Sequence, residues 1–366
     1  MKLSTTKEKL LQAIAIVERI VGKKESLPIL SCILIDAGKE LTIKATNLEA
    51  GIEVSVPCDV GEKGVVAIPA GILSQTVRST LGDKMTLLTE EANLVIESKG
   101  ARTLIKAIPH DEFPAMGANP KGDRIRLPRE ALYTAIQSVV YAASPSMIRP
   151  ELGSVYVALD MDGIVCVATD SFRLAEKKVP ASFHDVERTD ILIPLKHAVE
   201  LTHILERIAS DTVELSMDES QLIVVGDGVR YISRIIDGTF PNYKEIVPKS
   251  YVTEVTLLKG DFAEMLRKAR VFSGSDQYVG LHAYPKKKVF SATARSADIG
   301  EMSDSMDAAI EGEDLDINFH IGYLSDCLQS IESDSITLSF AGIGRGLVIR
   351  GVSDHSYMYL VMPLNR

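Results

Sequence analysis

Three copies of one pattern succeed each other along the chain at a period of about 125 residues, and this constrains the fold more than any single motif. The first landmark is a short alternating strand running into a helical segment: KLSTTKEKLLQAIAIV, RIRLPREALYTAIQSVV and EVTLLKGDFAEMLRKARV. Their apolar positions match as Leu10, Ile14 and Val17, then Leu132, Ile136 and Val139, then Phe262, Leu266 and Ala269. Each triplet is spaced i, i+4, i+7, the buried stripe of an amphipathic helix. The second landmark is an Ala-Thr step closing a strand, at Ala45-Thr46, Ala168-Thr169 and Ala292-Thr293. The third is a second helix, opening IPAGILSQTVRSTL, IPLKHAVELTHILERI and FHIGYLSDCLQSI.

Hairpin patterns such as KMTLLTEEANLVIESKG and ITLSFAGIGRGLVIRG come after the second helices. The expected fold class is therefore α+β, with helices packed on antiparallel sheet in three tandem repeats. Polar stretches with Pro and Gly, GANPKGD (117–123) and VPKSYVTE (247–254), predict domains at 1–120, 121–250 and 251–366.

At 366 residues the chain exceeds what one core commonly serves. Its formal charge of −10 argues, taken in bulk, against phosphate binding, which rests on Lys and Arg. The placement of those cations therefore matters more than their number. Cys32, Cys58, Cys166 and Cys327 are scattered without a CxxC pair, which suits reduced thiols and a cytoplasmic setting. The opening MKLSTTKEKL carries charge where a secretory signal needs an apolar run, and no stretch approaches the ~20 apolar residues of a membrane span.

Four places could carry chemistry. GIGRG (342–346) lies between two strand patterns and reads as a hairpin turn rather than a phosphate loop. The seven histidines lack metal-ligand spacing and read as surface or capping residues, so neither metal nor cofactor is expected. Glu90-Glu91 reads as a solvated hairpin tip. VATDSFRLA (167–175) gathers Thr169, Asp170, Ser171 and Arg173, but acyl transfer through Asp170 and Ser171 needs a histidine that is not nearby in sequence. The equivalent turns read ATNLEA and ATARSA, so the Thr persists while Asp and Ser do not, as in a scaffold turn. The distinctive residues of the middle copy, Phe172, Arg173 and Leu174, fit either a docking patch or the packing of the next strand. A three-domain enzyme using Asp170-Ser171 and an oligomeric scaffold without DNA remain the alternatives on these residues alone.

LPIL (27–30), ATNLE (45–49), DEFP (111–114), VATDSFRLA, IIDGTFPNYKEIVPK (235–249) and the terminal YLVMPLNR (359–366) occur in an order and spacing that resemble the bacterial DNA polymerase III beta subunit, the beta sliding clamp, over the whole chain. The resemblance implies the DNA clamp fold as a head-to-tail homodimeric ring of six domains encircling duplex DNA, without catalytic activity. It further implies docking of the replicative polymerase, a clamp-loader ATPase and other proteins bearing clamp-binding motifs. Carried over by motif, the peptide pocket comprises Leu152, Thr169, Ser171, Phe172, Arg173 and Leu174, then Pro241 and Ile246. The tail adds Leu360, Val361, Met362, Pro363 and Leu364, with Arg149 and Tyr323 at the rim. The chain departs from the family in having Ser171-Phe172 where Gly-His is common and Glu245 where a basic residue is common.

The same resemblance implies DNA-facing cations at Lys24, Arg78, Lys196, Arg267 and Lys268, with Lys7, Lys9, Lys23 and Arg270 as further candidates. Gly71 and Ile72 stand where relatives carry basic residues. A mildly basic lining under an acidic exterior reconciles the net charge with a ring that slides. Ring closure is expected between KGARTLIKAI (99–108), which contains Arg102 and Ile105, and a partner's Val271, Phe272 and acidic DIGEMSDSMD (298–307), which contains Glu301. Ile105 is expected to pack on Val271 and Phe272 of the partner.

Overall fold

A computed structural model of the chain describes residues 1–22, 27–117, 124–181 and 188–364. Among them, six helices form where the repeat places them: α1 (Lys7–Val17), α2 (Ala70–Ser79), α3 (Arg129–Gln137), α4 (Leu195–Leu205), α5 (Lys259–Phe272) and α6 (Ile321–Asp326). The predicted stripes are the buried faces. Leu10, Ile14 and Val17 of α1 are at most 1% exposed, as are Phe262, Leu266 and Ala269 of α5. Thr6 caps α1 by accepting a hydrogen bond from the Lys9 N–H, and Glu8 in the first turn complements the helix dipole. The helix of the middle copy stops at Gln137, so Val139 is buried from a turn after it.

The described residues fold into two compact units, 1–130 with 199–237 and 131–198 with 238–366. The middle repeat divides its strands between them. In the first unit, the order of the eight-stranded sheet is Ile125–Pro128, Thr212–Met217, Gln221–Gly226, Val229–Arg234, Ala50–Val56, Leu41–Thr46, Cys32–Ala37, Gly64–Pro69. Its seam is the antiparallel pairing of Val229–Arg234 with Ala50–Val56. In the second unit, Arg173–Pro180 pairs with Tyr357–Val361 in the same way, joining strands of the middle and last repeats in a nine-stranded sheet. Each unit also holds a smaller sheet, five-stranded with Ala101–Ile105 at one edge in the first, four-stranded with Gly300–Met306 at one edge in the second. The strand pairings among the described residues are antiparallel.

Shorter motifs take the forms that turn chemistry gives them. GIGRG is the turn of the hairpin Ser335–Phe340 to Leu347–Gly351, and Glu91 and Ala92 form a two-residue hairpin tip with positive φ. All four cysteines are free, with Cys32, Cys166 and Cys327 buried. Among the described histidines, at least two depart from the surface or capping role expected of them. His197 is 4% exposed, and His282 is held between Asp316 (2.5 Å) and Thr293 (2.8 Å). No described helix is long and apolar enough to cross a membrane. The predicted boundary 117–123 lies mostly outside the described residues.

Candidate functional site

The turn at Thr169–Arg173 is tied by its own side chains. Thr169 Oγ1 donates to the Arg173 carbonyl (2.6 Å) and accepts from the Ser171 N–H, while Asp170 Oδ1 accepts from the N–H groups of Phe172 and Arg173, both at 2.9 Å. The turn forces Ser171 to φ +77°, a left-handed conformation that a non-glycine residue adopts at a cost of about 1 kcal/mol. Asp170 is thus a structural acceptor. Its carboxylate is engaged by the turn and by Arg173, so it does not serve Ser171 as a base, and the acyl-transfer reading has no support in the geometry.

Arg173 then turns inward. Its guanidinium meets Asp170 (3.0 Å), Asp326 (2.6 Å) and the Tyr141 carbonyl (2.7 Å), and lies 4.4 Å over the Tyr323 ring. Burial alone would favour losing the proton. The surrounding Tyr359, Asp326 and Asp170 outweigh it and hold the group charged. Tyr323 is held in place in turn, since its carbonyl accepts from the Tyr359 hydroxyl at 2.9 Å. Arg173 is therefore an anchor beneath the turn, and Phe172 is lifted out on top of it, 61% exposed.

A cleft of about 530 Å3 opens beside Phe172. Thr169, Ser171, Phe172, Arg173 and Leu174 form one wall, Leu360 and Met362 the floor and far side, and Ile246 another wall. Leu174 and Leu360 continue into a buried cluster with Val167, Tyr243, Val348 and Met358, so the floor is rigid core rather than loop. Tyr243 is fixed there by donating its hydroxyl to buried Glu176 at 2.5 Å. The Met362 N–H donates to the Phe172 carbonyl (2.8 Å) and carries the ladder one residue past the strand Tyr357–Val361.

Eight of the fifteen predicted pocket residues line this cleft, and seven do not. Val361 is fully buried because strand alternation points it away from Leu360 and Met362. Leu364 donates its N–H to the Asn318 carbonyl, which leads Pro363 and Leu364 off along the strand Leu315–His320. Leu152 is 6% exposed in the core, Arg149 is paired with Glu151, and Tyr323 backs Arg173. Pro241 is exposed outside the lining. The lining that went unpredicted comes from two segments. Pro248, Lys249 and Ser250 belong to the predicted domain boundary, the first two also closing the motif IIDGTFPNYKEIVPK without being assigned to the pocket, and Ala341, Gly344, Arg345 and Gly346 belong to the GIGRG hairpin, read only as a turn.

The same turn exists in the first unit. Thr46 Oγ1 donates to the Ala50 carbonyl (2.9 Å) and accepts from the Leu48 N–H, and Asn47 Oδ1 accepts from the N–H groups of Glu49 and Ala50. Leu48 sits at φ +73°, and the Arg234 N–H donates to the Glu49 carbonyl at 2.9 Å.

Of the cations expected to face DNA, Lys24 and Lys23 lie outside the described residues. Arg267 and Arg270 are exposed on α5, and Lys196 is exposed in the first turn of α4. Arg78 lies 3.7 Å from Glu18. Lys7 is used structurally, donating to the Arg78 and Thr80 carbonyls at the end of α2. Lys268, expected to face DNA, is exposed and pairs with Asp304 at 2.8 Å. At the first unit's edge strand Ala101–Ile105, Arg102 is already bound by Glu90 and lies 3.7 Å from Glu97. The strand is flanked in sequence by two further cations, Lys99 and exposed Lys106. Ile105 is 4% exposed and has little surface left for a partner, whereas Leu104, one step out of phase, is 44% exposed. At the second unit's edge, Val271 is 61% exposed, Phe272 is half-buried beside Gly300, and Asp298, Glu301 and Asp307 are exposed.

Antiparallel sheets whose seams join successive repeats, with two helices to each repeat, define a protein of the clamp class. Family models of the DNA polymerase III beta subunit match in succession: the N-terminal domain at residues 1–117, the central domain at 126–242 and the C-terminal domain at 244–365. The beta sliding clamp of Bacillus subtilis is 28% identical, covering 100% of this chain and 99% of that one, and that of Staphylococcus aureus (strain Mu50) is 26% identical over 94% of each. The crystal structure of the beta subunit from Thermotoga maritima superposes with a TM-score of 0.93 at 26% identity, covering 100% of this chain and 99% of that chain. The chain belongs to the DNA polymerase III beta subunit family. It has three beta-clamp domains, and its function is that of a sliding clamp, a processivity factor without catalysis.

Proposed function

We propose that two copies of this chain close head to tail into a ring around duplex DNA in the cytoplasm, and that the cleft beside Phe172 docks apolar peptides of the replicative polymerase, the clamp loader and other clamp-binding proteins. Domains at 1–120, 121–250 and 251–366 are the units of that ring. The observation that carries the reading is the pair of free sheet edges. Among the described residues, Ala101–Ile105 leaves its outer side unpaired with Lys99 and Lys106 beside it, and Gly300–Met306 does the same among Asp298, Glu301 and Asp307. Edges of opposite charge favour joining unlike ends and disfavour like-to-like pairing.

Leu104, with Val271 and Phe272 of the partner, supplies the apolar part of the joint. Arg102 and Ile105 act from behind it, as the ion-pair partner and the core support of the edge strand. Arg267 on α5, Lys196 on α4 and Arg78 on α2, together with Lys24, supply a sparse set of DNA-facing cations. Few direct phosphate contacts are what a ring needs if it is to slide. The cleft supports peptide docking because exposed Phe172, Ile246 and Met362 surround a rigid apolar floor.

The ring is tested by sedimentation at nanomolar concentration, comparing the natural chain with Leu104→Glu and Phe272→Ala. A mass of two chains that falls to one in either variant is expected, and two chains persisting in both contradicts this joint. Docking is tested by fluorescence anisotropy of a labelled peptide of the Gln-Leu-x-Leu-Phe pattern. Saturable binding that Phe172→Ala weakens at least tenfold is expected.

A further inference from the structure

The first unit holds a second cleft, of about 260 Å3, lined at the same positions of the repeat as the one beside Phe172. Its turn has the same four side-chain hydrogen bonds and the same left-handed residue. The backbone bond from Arg234 to Glu49 repeats that from Met362 to Phe172. Strand pairing fixes the correspondence. Ala50 lies opposite Ser233 as Arg173 lies opposite Val361, which sets Glu49 at the place of Phe172 and Arg234 at the place of Met362.

The chemistry at those positions is inverted. Where the second unit presents an exposed aromatic and a methionine, the first presents an ion pair, Arg234 to Glu49 at 3.2 Å. Where Leu174 lines the second cleft, the first unit has Gly51, and a Cβ added there would lie 2.6 Å from the Met116 methyl. Met116 reaches over from the segment that closes the first repeat, and Pro114, Ala115 and Gly117 of the same segment join it in the lining.

We infer that the first unit's cleft is a degenerate copy of the docking cleft, closed to partner peptides by Met116 and the Glu49–Arg234 pair, so that each chain takes one peptide. The inference rests on the docking reading of the second cleft. Its physical cause is desolvation. A Leu or Phe anchor entering the first cleft strips water from Glu49 and Arg234 and returns no hydrogen bond to either. The same anchor entering the second cleft covers Phe172 and Met362, which gain by leaving water. Met116 further reduces the space by standing in for the missing side chain at Gly51, an occupant supplied by the chain itself.

The chain contains no Trp, so Leu48→Trp, at a 56% exposed position in the first cleft, gives a specific reporter. The probe is the Gln-Leu-x-Leu-Phe peptide, titrated into three proteins that carry this reporter. With no other change, one peptide per chain and unaltered tryptophan emission are expected. With Glu49→Phe, Arg234→Met and Met116→Ala added, a second, at least tenfold weaker equivalent that shifts the emission is expected. The Glu49→Phe/Arg234→Met pair alone, on exposed side chains, is carried in parallel in case the fuller variant folds poorly, and a weaker shift is expected from it. An emission change in the reporter protein without further substitutions overturns the inference, because the natural cleft then docks peptide. So does a folded opened variant, of either kind, that still takes one peptide silently. If the natural chain takes no peptide, the docking reading itself has failed, and the inference falls with it.

Discussion

The turns at Thr46–Ala50 and Thr169–Arg173 share a backbone and a hydrogen-bonding plan, yet one carries Ala50 and the other Arg173 at the position that ends the turn. Ala50 is a small residue in a buried strand. Arg173 is a charge sunk among two carboxylates, a carbonyl and a tyrosine ring. The turn alone is therefore scaffold, built wherever Thr and Asx stand at this spacing. What makes one copy a candidate site is the set of side chains placed on it, with Phe172 held outward over a fixed cation.

The largest expected effect comes from that anchor. Arg173→Ala leaves Asp170, 10% exposed, facing the low-dielectric interior without its partner, and is expected to destabilise the second unit by about 3 kcal/mol in urea unfolding. A loss comparable to an ordinary surface substitution would mean that the two turns differ less than their contacts indicate.

The two units also share an acid-side response. Burial, with Arg173 and Arg270 nearby, lowers the His320 pKa from 6.5, and its Nδ1 is buried without a hydrogen-bond partner. The folded state thus resists protonation, while the unfolded chain takes up the proton first as pH falls. Stability is present above the unfolded value of 6.5 and declines as pH drops below it. His203 in the first unit acts in the same direction, through burial and then Arg19 and Arg207. His320→Gln is expected to flatten the fall in unfolding midpoint between about pH 7 and about pH 5.5 without abolishing it. An unchanged slope would place the acid sensitivity elsewhere.

The smallest effect lies in the backbone itself. Ser171 and Leu48 both occupy left-handed φ, and glycine relieves that strain while adding freedom to the unfolded chain. Ser171→Gly and Leu48→Gly are each expected to change stability by no more than about 1 kcal/mol, and by similar amounts. A large difference between them would show that the two turns are not strained alike.

The helix stripes, the Ala-Thr turns and the hairpin at GIGRG were legible in the sequence, because periodicity and turn chemistry act within a few residues. The tie from Arg173 to Asp326, and the cleft wall formed by Gly344 and Arg345, were not legible in that way. Those contacts depend on a sheet seam joining distant segments. The phase of the edge strand was hidden too. Ile105 and Leu104 are both apolar, and only the side of the sheet that α2 covers decides which of them is buried.

Whether one cleft of the two docks a partner peptide is decided by isothermal titration of the natural chain with the Gln-Leu-x-Leu-Phe peptide, beside Phe172→Ala and Glu49→Ala. One peptide per chain is predicted, weakened at least tenfold by Phe172→Ala and unchanged by Glu49→Ala. Binding that survives Phe172→Ala but is lost in Glu49→Ala would contradict this, since it would put the partner in the other cleft.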